Sequence, residues 1–122
     1  MATPSERQQR EITGRRAETL CVWYLRLKGY RVLERRFRTP VGEIDIIARR
    51  GPVLALIEVK ARASVADAMV SVSSRQRQRI ARAGLVFQQK RPDLAHKDLR
   101  FDVMLVTPGH RPHHLIDAWR ES

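Results

Sequence analysis

Two apolar segments joined by a tight turn lie in the middle of the chain. Between Gly42 and Arg62, two strand-like runs of apolar residues flank the turn sequence Arg-Arg-Gly-Pro. This combination predicts a β-hairpin. Successive side chains of a strand point to opposite faces, so Glu58 and Lys60 are expected on one face and Val59 on the other. The hairpin would bring Asp45, on its first strand, alongside them.

Helical spacing of apolar residues predicts a helix before the hairpin and another after it. The expected order is helix, three strands, helix, strand and short strand, which predicts an α/β sandwich with a mixed sheet. The expected bounds are residues 10–28 and about 73–89 for the helices, and residues 30–38, 101–106 and 114–116 for the strands outside the hairpin. Residues 1–9 are expected to form a mobile arm and residues 63–68 a loop, with a single domain over residues 10–122.

Composition indicates a polyanionic partner. The chain has 122 residues, and its 24 Lys and Arg against 13 Asp and Glu give a formal charge of +11. Most of the basic residues are arginines, whose planar guanidinium groups suit bidentate phosphate contacts. Nucleic acid is therefore the expected partner, with an anionic membrane surface second.

The cellular location predicted from the sequence is the cytoplasm. Cys21 is the only cysteine, which fits a reducing compartment. Uninterrupted apolar runs such as Val53 to Ile57 are too short to cross a bilayer. The start of the chain lacks the apolar region of a secretory signal, so no membrane association is expected.

The arginines fall into groups that the predicted fold would place on exposed surfaces. They would hold phosphates without reading base sequence, so that binding depends on nucleic-acid structure. The alternative is a charged surface that only keeps the protein soluble. The candidate nucleic-acid-binding residues are Arg35, Arg36, Arg38, Arg62, Arg75, Arg79 and Arg82.

Asp45, Glu58 and Lys60 form the second candidate site. Two carboxylates and an ammonium group would meet at the end of an apolar sheet face, and buried charges of this kind need partners or a metal ion. The alternative is a solvated ion pair between Glu58 and Lys60, with Asp45 as a cross-strand neighbour.

Several short motifs, in order along the chain, resemble the YraN family of small bacterial endonuclease-like proteins. These are Gly14-Arg15-Arg16-Ala17-Glu18, Gly29-Tyr30, Gly42-Glu43-Ile44-Asp45, Glu58-Val59-Lys60-Ala61-Arg62 and Arg100-Phe101-Asp102-Val103. The spacing of Asp45 and Glu58-Val59-Lys60 also has the form of the PD-(D/E)xK nuclease signature. That family is similar to archaeal Holliday-junction resolvases, which implies a restriction-endonuclease-like three-layer sandwich with a mixed central sheet flanked by helices.

The resemblance also implies roles for individual residues. Asp45 and Glu58 would bind Mg²⁺ or Mn²⁺ together with the carbonyl of Val59, and Lys60 would orient the attacking water or stabilise developing charge. Glu18 would approach the same site and hold a second ion, although a solvent-exposed helix carboxylate is the favoured explanation of this residue from sequence alone.

The expected function is metal-dependent cleavage of DNA, selective for branched or junction structures. Symmetric cutting of a junction would call for a homodimer, because two strands must be cut. The alternative is a non-catalytic nucleic-acid-binding module on the same scaffold.

Other chemically suggestive residues are given structural roles. Cys21 is expected in the core, and Trp23 and Trp119 are expected to pack rather than to stack on bases. His110, His113 and His114 lack the accompanying ligands typical of a zinc site. Asp102 could contact Lys60, contact another basic residue or cap local backbone, and the sequence does not decide between these.

Overall fold

A computed structural model describes residues 6–121 of the chain, with side chains from residue 14 onward. Five strands form one sheet in the order β1-β2-β3-β4-β5, in which only the β3–β4 pair is parallel. The elements are α1 (Glu6–Leu27), β1 (Arg31–Thr39), β2 (Gly42–Arg50), β3 (Val53–Ala61), α2 (Val65–Val70), α3 (Ser74–Lys90), β4 (Asp98–Val106) and β5 (His113–Trp119).

The sheet is covered on both faces, which makes three layers. Alternation along β3 sends Leu54 and Leu56 to the core shared with α3, and Ala55 and Ile57 to the core shared with α1. All four side chains are fully buried. The continuous apolar run in β3 is therefore explained by burial on two sides, as expected for a strand with a parallel neighbour.

Helix α3 begins at a defined cap and lies very close to the hairpin. The side chain of Ser73 accepts a hydrogen bond of 3.1 Å from the backbone N–H of Gln76, which satisfies one free donor of the first turn. A Cβ atom added to Gly42 would collide with the backbone carbonyl of Arg79. The absence of a side chain at Gly42 lets the helix backbone approach the start of β2, next to Asp45.

The fold class expected from the sequence is confirmed, as an α/β fold with a mixed sheet between helices. The order of elements is also as expected, with corrections to the bounds. Helix α1 begins at Glu6 rather than Arg10, so residues 6–9 of the expected arm are helical, and residues 1–5 lie outside the described residues. The expected loop at residues 63–68 contains the start of α2, which Ser64 caps by accepting from Asp67 N at 3.1 Å. Strand β5 extends on both sides of the expected residues 114–116.

Candidate active site

Strands β2 and β3 separate at the position of Asp45. Their pairing extends from Arg50 and Val53 to Ile46 and Ile57 and ends there. Beyond that point a side chain replaces the backbone acceptor: Oδ2 of Asp45 accepts a hydrogen bond of 2.8 Å from Val59 N. The N–H and C=O of one residue in an antiparallel strand face the same side. The Val59 carbonyl therefore faces the same opening as the Asp45 carboxylate.

Glu58 and Lys60 lie on the same face of β3, as predicted. Lys60 Nζ is 3.4 Å from Glu58 Oε1, and both side chains are largely buried. The same oxygen accepts a hydrogen bond of 2.9 Å from Gln76 Nε2, in the first turn of α3. The site is thus built from both strands of the hairpin and from the beginning of α3. Gln76 was not predicted, because its position in the sequence gives no sign that it reaches β3.

The two carboxyl groups are held in a position that disfavours their charges. Burial raises the pKa of Glu58 well above its ordinary value, and the Asp45 carboxylate raises it further, against the opposing effect of Lys60. Burial likewise raises the pKa of Asp45, more than the Val59 N–H and Lys60 lower it. The two carboxyl groups therefore interact, since the charge of Asp45 disfavours ionisation of Glu58. The explanation as a solvated surface ion pair is therefore wrong.

Glu18 is buried in this structure, so its expected exposure on the helix is wrong. It retains 7% of its exposure and accepts bonds of 3.0 and 2.8 Å at Oε2 from the guanidinium of Arg36. Arg36 lies in β1 in the left-handed conformation, with φ of 52°. A non-glycine residue seldom adopts this conformation unless its surroundings hold it there. Because the carboxylate of Glu18 also raises the pKa of Asp45, the two groups act on each other through space.

A cleft of about 290 Å³ opens beside Asp45. Its walls come from α1, β1 and the start of β2, and three of its side chains are arginines. Arg36 is engaged by Glu18, whereas Arg38 lies 3.6 Å from Glu43 with both side chains largely exposed. The lining residues are Gly14, Arg15, Glu18, Arg36, Arg38, Glu43, Ile44 and Asp45.

The remaining candidate arginines are exposed, as phosphate-binding residues must be. Arg75, Arg79 and Arg82 follow one face of α3 at helical spacing, starting beside Gln76. Arg62 follows β3 directly and bonds the carbonyl of Ala61. Arg35 donates a bond of 3.0 Å to Thr19 Oγ1 on α1.

The donor set beside the cleft suits a hard divalent cation that keeps several of its waters. Asp45 and Glu58 supply two carboxylates at the fork, which is the point where β2 and β3 separate. Mg²⁺ needs only one or two carboxylates together with water. Among the described residues, Glu18 Oε1 is buried without a hydrogen-bond partner, which leaves a free acidic oxygen nearby. No group of three or more His, Cys, Asp or Glu within those residues lies at chelating distance. The fit therefore rests on two carboxylates, with the Val59 carbonyl facing the same opening.

Asp45→Asn is expected to stabilise the metal-free protein at pH 8, because asparagine can still accept from Val59 N without bringing a buried charge. Since the pKa of Asp45 is raised in the folded state, its ionisation opposes folding. The contribution of Asp45 to stability is fully present below its ordinary pKa of 3.8 and is lost as pH rises through the folded value. We expect the melting temperature of the variant to exceed that of wild type by a few degrees in EDTA at pH 8. The gap should narrow toward pH 4.

Thermal unfolding followed by circular dichroism measures this difference. Added Mg²⁺ should raise the melting temperature of wild type more than that of Asp45→Asn, since only wild type gains from neutralising the pair. A variant less stable than wild type at pH 8 would contradict the unfavourable charge assigned to Asp45.

A second buried polar cluster lies under β5, and most of it was not predicted. Asp102 is fully buried and is bound through both oxygens by Arg100, at 2.9 and 2.7 Å. His114 Nε2 lies 2.8 Å from Asp102 Oδ2, and Lys28 Nζ lies 2.8 Å from His114 Nδ1. Of the open alternatives for Asp102, contact with another basic residue is realised. The backbone group that it binds is not local, since Asp117 N, fifteen residues away, donates to it at 2.9 Å.

Of the predictions for Cys21, Trp119 and Trp23, the first two are confirmed and the third is wrong. Cys21 is buried as predicted, and burial with the nearby carboxylates raises its pKa to about 12, so the thiol stays protonated. Trp119 is buried and stacks on Phe101, as predicted. Trp23 is 60% exposed, so its expected packing is wrong. Within residues 6–121, no helix combines the length and apolar character needed to cross a bilayer.

Comparison with known proteins places this arrangement in a family. A model described as "Uncharacterised protein family UPF0102" matches residues 17–106, a segment that includes every candidate site residue. A UPF0102 protein of Parvibaculum lavamentivorans is 52% identical over 107 residues, covering 88% of this chain and 80% of that protein. One of Maricaulis maris is 50% identical over 113 residues, covering 93% and 89%. One of Rhodopseudomonas palustris (strain BisB18) is 46% identical over 121 residues, covering 99% and 90%. The chain therefore belongs to the UPF0102 family, which is the YraN family that its motifs resemble.

Proposed function

We propose that this protein is a metal-dependent endonuclease that hydrolyses phosphodiester bonds in DNA, with a preference for branched or junction structures. The observation that carries the proposal is the pair of buried carboxyl groups of Asp45 and Glu58 at a strand fork, with Lys60 beside Glu58 and with Asp45 lining a cleft that has arginines on its walls. Two carboxylates with raised pKa values and a neighbouring ammonium group are typical of a catalytic centre rather than of a stabilising ion pair. The motif resemblance to junction resolvases and to the restriction-endonuclease-like fold supports the same function.

Hydrolysis requires an attacking water, a stabilised phosphorane-like transition state and a protonated leaving oxygen. Bound Mg²⁺ or Mn²⁺ supplies charge neutralisation and a more acidic water when it is held by Asp45 and Glu58. Lys60 orients the water beside Glu58 and stabilises charge that develops on the phosphate oxygens. The attacking water releases a proton to solvent as its oxygen bonds to phosphorus, the bond to the leaving oxygen breaks, and that oxygen takes a proton from solvent.

The basic surfaces beside the centre would position the nucleic acid. Arg15 and Arg38 line the cleft next to Asp45, and the arginines of α3 start beside Gln76, which itself touches Glu58. Phosphates could thus be held on two sides of the cleavage point. Such contacts fix the register of the strand but do not read its bases, which favours selection by DNA structure. Cutting both strands of a junction would require two copies of the chain.

Cleavage assays on a panel of substrates test this function. Purified protein is incubated with end-labelled four-way junction, flap and linear duplex in Mn²⁺, Mg²⁺ or EDTA. We expect cleavage of branched substrates in Mn²⁺ or Mg²⁺ and none in EDTA. Calorimetry gives a readout that is independent of activity, and we expect uptake of Mn²⁺ that Asp45→Asn weakens. Absence of both cleavage and metal uptake, with DNA present, would reject the nuclease assignment.

One observation favours a second candidate, a non-catalytic nucleic-acid-binding module. Glu58 Oε1 already has two partners, Lys60 and Gln76, so this acceptor is satisfied without a metal. A binding module would hold DNA with an affinity that falls steeply with salt. The plot of log K against the logarithm of salt concentration would have a slope of roughly −0.9 for each duplex phosphate contacted. This slope would be the same in EDTA and in Mn²⁺, and the DNA strand would not be cut.

A further inference from the structure

We propose that Trp23 is a stacking platform for an unpaired base of the bound DNA strand, next to the candidate active site. The inference rests on the proposed function and specifies its substrate as DNA with a single-stranded segment near the cleaved phosphate. It starts from an apolar stripe on the solvent side of α1. Leu20, Trp23 and Leu27 recur at spacings of three and four, and they are 44%, 60% and 86% exposed.

The indole of Trp23 lies between two surface concavities of the protein. One, of about 390 Å³, is lined by Arg15, Arg16, Thr19, Leu20 and Trp23. The other, of about 640 Å³, lies between α1 and the loop that precedes β5. An exposed, flat aromatic ring between two such concavities has space for another ring on its surface. A base has a π-face whatever its identity, so stacking there needs no particular sequence.

Charge distinguishes among the occupants that this apolar surface could take. Arg15, Arg16 and Arg26 surround Trp23 and are exposed, and the loop beyond it adds Arg111. No acidic residue lines either concavity in the described part of the chain. A second copy of this chain would bring like charges together, since its formal charge is also +11. A nucleic-acid strand instead offers bases for the indole and phosphates for the arginines.

The platform and the candidate active site are connected along the surface. Arg15 lines both the cleft beside Asp45 and the concavity beside Trp23. Trp23 follows Glu18 by five positions, which is a rise of about 7.5 Å along α1 and a rotation of roughly 140° about its axis. Glu18 is therefore buried against the sheet, whereas Trp23 faces solvent. A strand with a phosphate in the cleft would follow Arg15 around α1 to place an unpaired base on the indole.

A guanidinium group already occupies one side of the ring. The Arg26 guanidinium carbon is 5.5 Å from the centroid of the Trp23 ring, as in a cation–π contact. A base on the ring would extend this stack, with Arg16 about two helical turns from Trp23 for the adjoining phosphate. The alignment of Arg16, Leu20, Trp23 and Leu27 at spacings of four, three and four makes one continuous strip.

Binding of two matched substrates tests the platform. Fluorescence anisotropy in EDTA compares a blunt duplex with a forked duplex of equal length that carries a single-stranded arm. We expect Trp23→Ala to weaken binding of the forked duplex by about five- to 150-fold, the range for loss of one stacked base. Binding of the blunt duplex should stay within about twofold. Trp23→Phe should recover most of the affinity, because a ring is restored.

A second measurement separates stacking from a change in folding. Single-stranded oligonucleotide should quench the emission of the exposed indole in wild type, and Trp23→Phe should lose this quenching. The other tryptophan, Trp119, is buried under Arg77 and should respond little. Leu85→Ala is the matched control, since Leu85 is an exposed apolar residue on α3, and it should bind both substrates as wild type does.

Equal binding of the forked duplex by Trp23→Ala and wild type would overturn the platform, while cleavage by both would leave the nuclease function intact. Trp23-dependent binding without metal-dependent cleavage would instead reject the nuclease and keep the platform. Failure of wild type to bind either DNA would overturn both. Two outcomes in which Trp23→Ala leaves DNA binding unchanged would assign the surface to another occupant. A changed oligomeric mass in sedimentation would indicate a second copy of the chain, and weaker binding to anionic vesicles would indicate a membrane.

Discussion

Asp45→Asn and Lys60→Met are each expected to slow metal-dependent cleavage of branched DNA by at least about 100-fold, as removal of a single charged group from a hydrolytic centre does. Asparagine keeps the acceptor for Val59 N, which is 2.8 Å from Asp45 Oδ2, so the fork between β2 and β3 should persist. Methionine keeps most of the length of Lys60 while removing its charge. The loss should therefore appear in the rate of cleavage and not in folding.

Affinity for DNA in EDTA separates catalysis from binding. Asp45→Asn should bind as tightly as wild type or more tightly, since a negative charge near the phosphates has been removed. Glu43→Gln is the matched control, because it also removes one negative charge from the cleft. The Glu43 carboxylate is largely exposed, and its ion pair with Arg38, at 3.6 Å, is long. It should cleave at close to the wild-type rate. Undiminished cleavage by Asp45→Asn and Lys60→Met would place the activity elsewhere.

Asp102→Asn is expected to reduce the free energy of unfolding by about 3–5 kcal/mol, the usual cost of removing one partner from a buried ion pair. Both carboxylate oxygens of Asp102 have two hydrogen-bond partners. Oδ1 is bound by Arg100 and Asp117 N, and Oδ2 is bound by Arg100 and His114. The Arg100 guanidinium also donates a 2.6 Å bond to the hydroxyl of Tyr30. Asparagine would leave a guanidinium group partly buried without its counter-charge.

Urea unfolding measures this loss, and Asp93→Asn provides the control. Asp93 is bound by two nitrogens of Arg91 at 3.1 Å, in the same two-bond geometry, but both groups are exposed. That substitution should lower the free energy of unfolding far less than Asp102→Asn does, because solvent screens an exposed ion pair. Similar losses in the two variants would show that burial adds nothing to the Asp102 network.

The pH dependence of the Asp102 contribution has the opposite sign to that of Asp45. Burial alone would raise the pKa of Asp102, but the bonds from His114, Arg100 and Asp117 N hold it below its ordinary value. Its contribution is present above the ordinary pKa of 3.8 and is lost as pH falls through the lowered value. Wild type should therefore lose this part of its stability in strong acid, whereas Asp102→Asn has none to lose.

The parts of the site that local rules determine were predicted from sequence. Alternation along a strand is enough to place Glu58 and Lys60 on one face, and the short hairpin turn brings Asp45 beside them. The mixed sheet and its helices followed from apolar periodicity in the same way. These features depend on neighbours within about a dozen residues.

The parts that depend on distant residues were not predicted. Gln76 reaches Glu58 only because the close contact at Gly42 positions α3 over the hairpin. The burial of Glu18 depends on Arg36, which adopts a positive φ that no sequence pattern indicates. Trp23 was expected inside the protein because large aromatic residues usually pack, yet it lies on the solvent side of α1.

The fork at Asp45 gives the protein an internal spectroscopic probe. The Val59 amide proton bonds to the Asp45 carboxylate, whereas most N–H groups of a sheet bond to backbone carbonyls. Its nitrogen and proton chemical shifts should therefore follow the charge of Asp45 during a pH titration. Added Mg²⁺ should move the same signal by drawing electron density from that oxygen, so nuclear magnetic resonance can follow cation uptake at the fork without any nucleic acid.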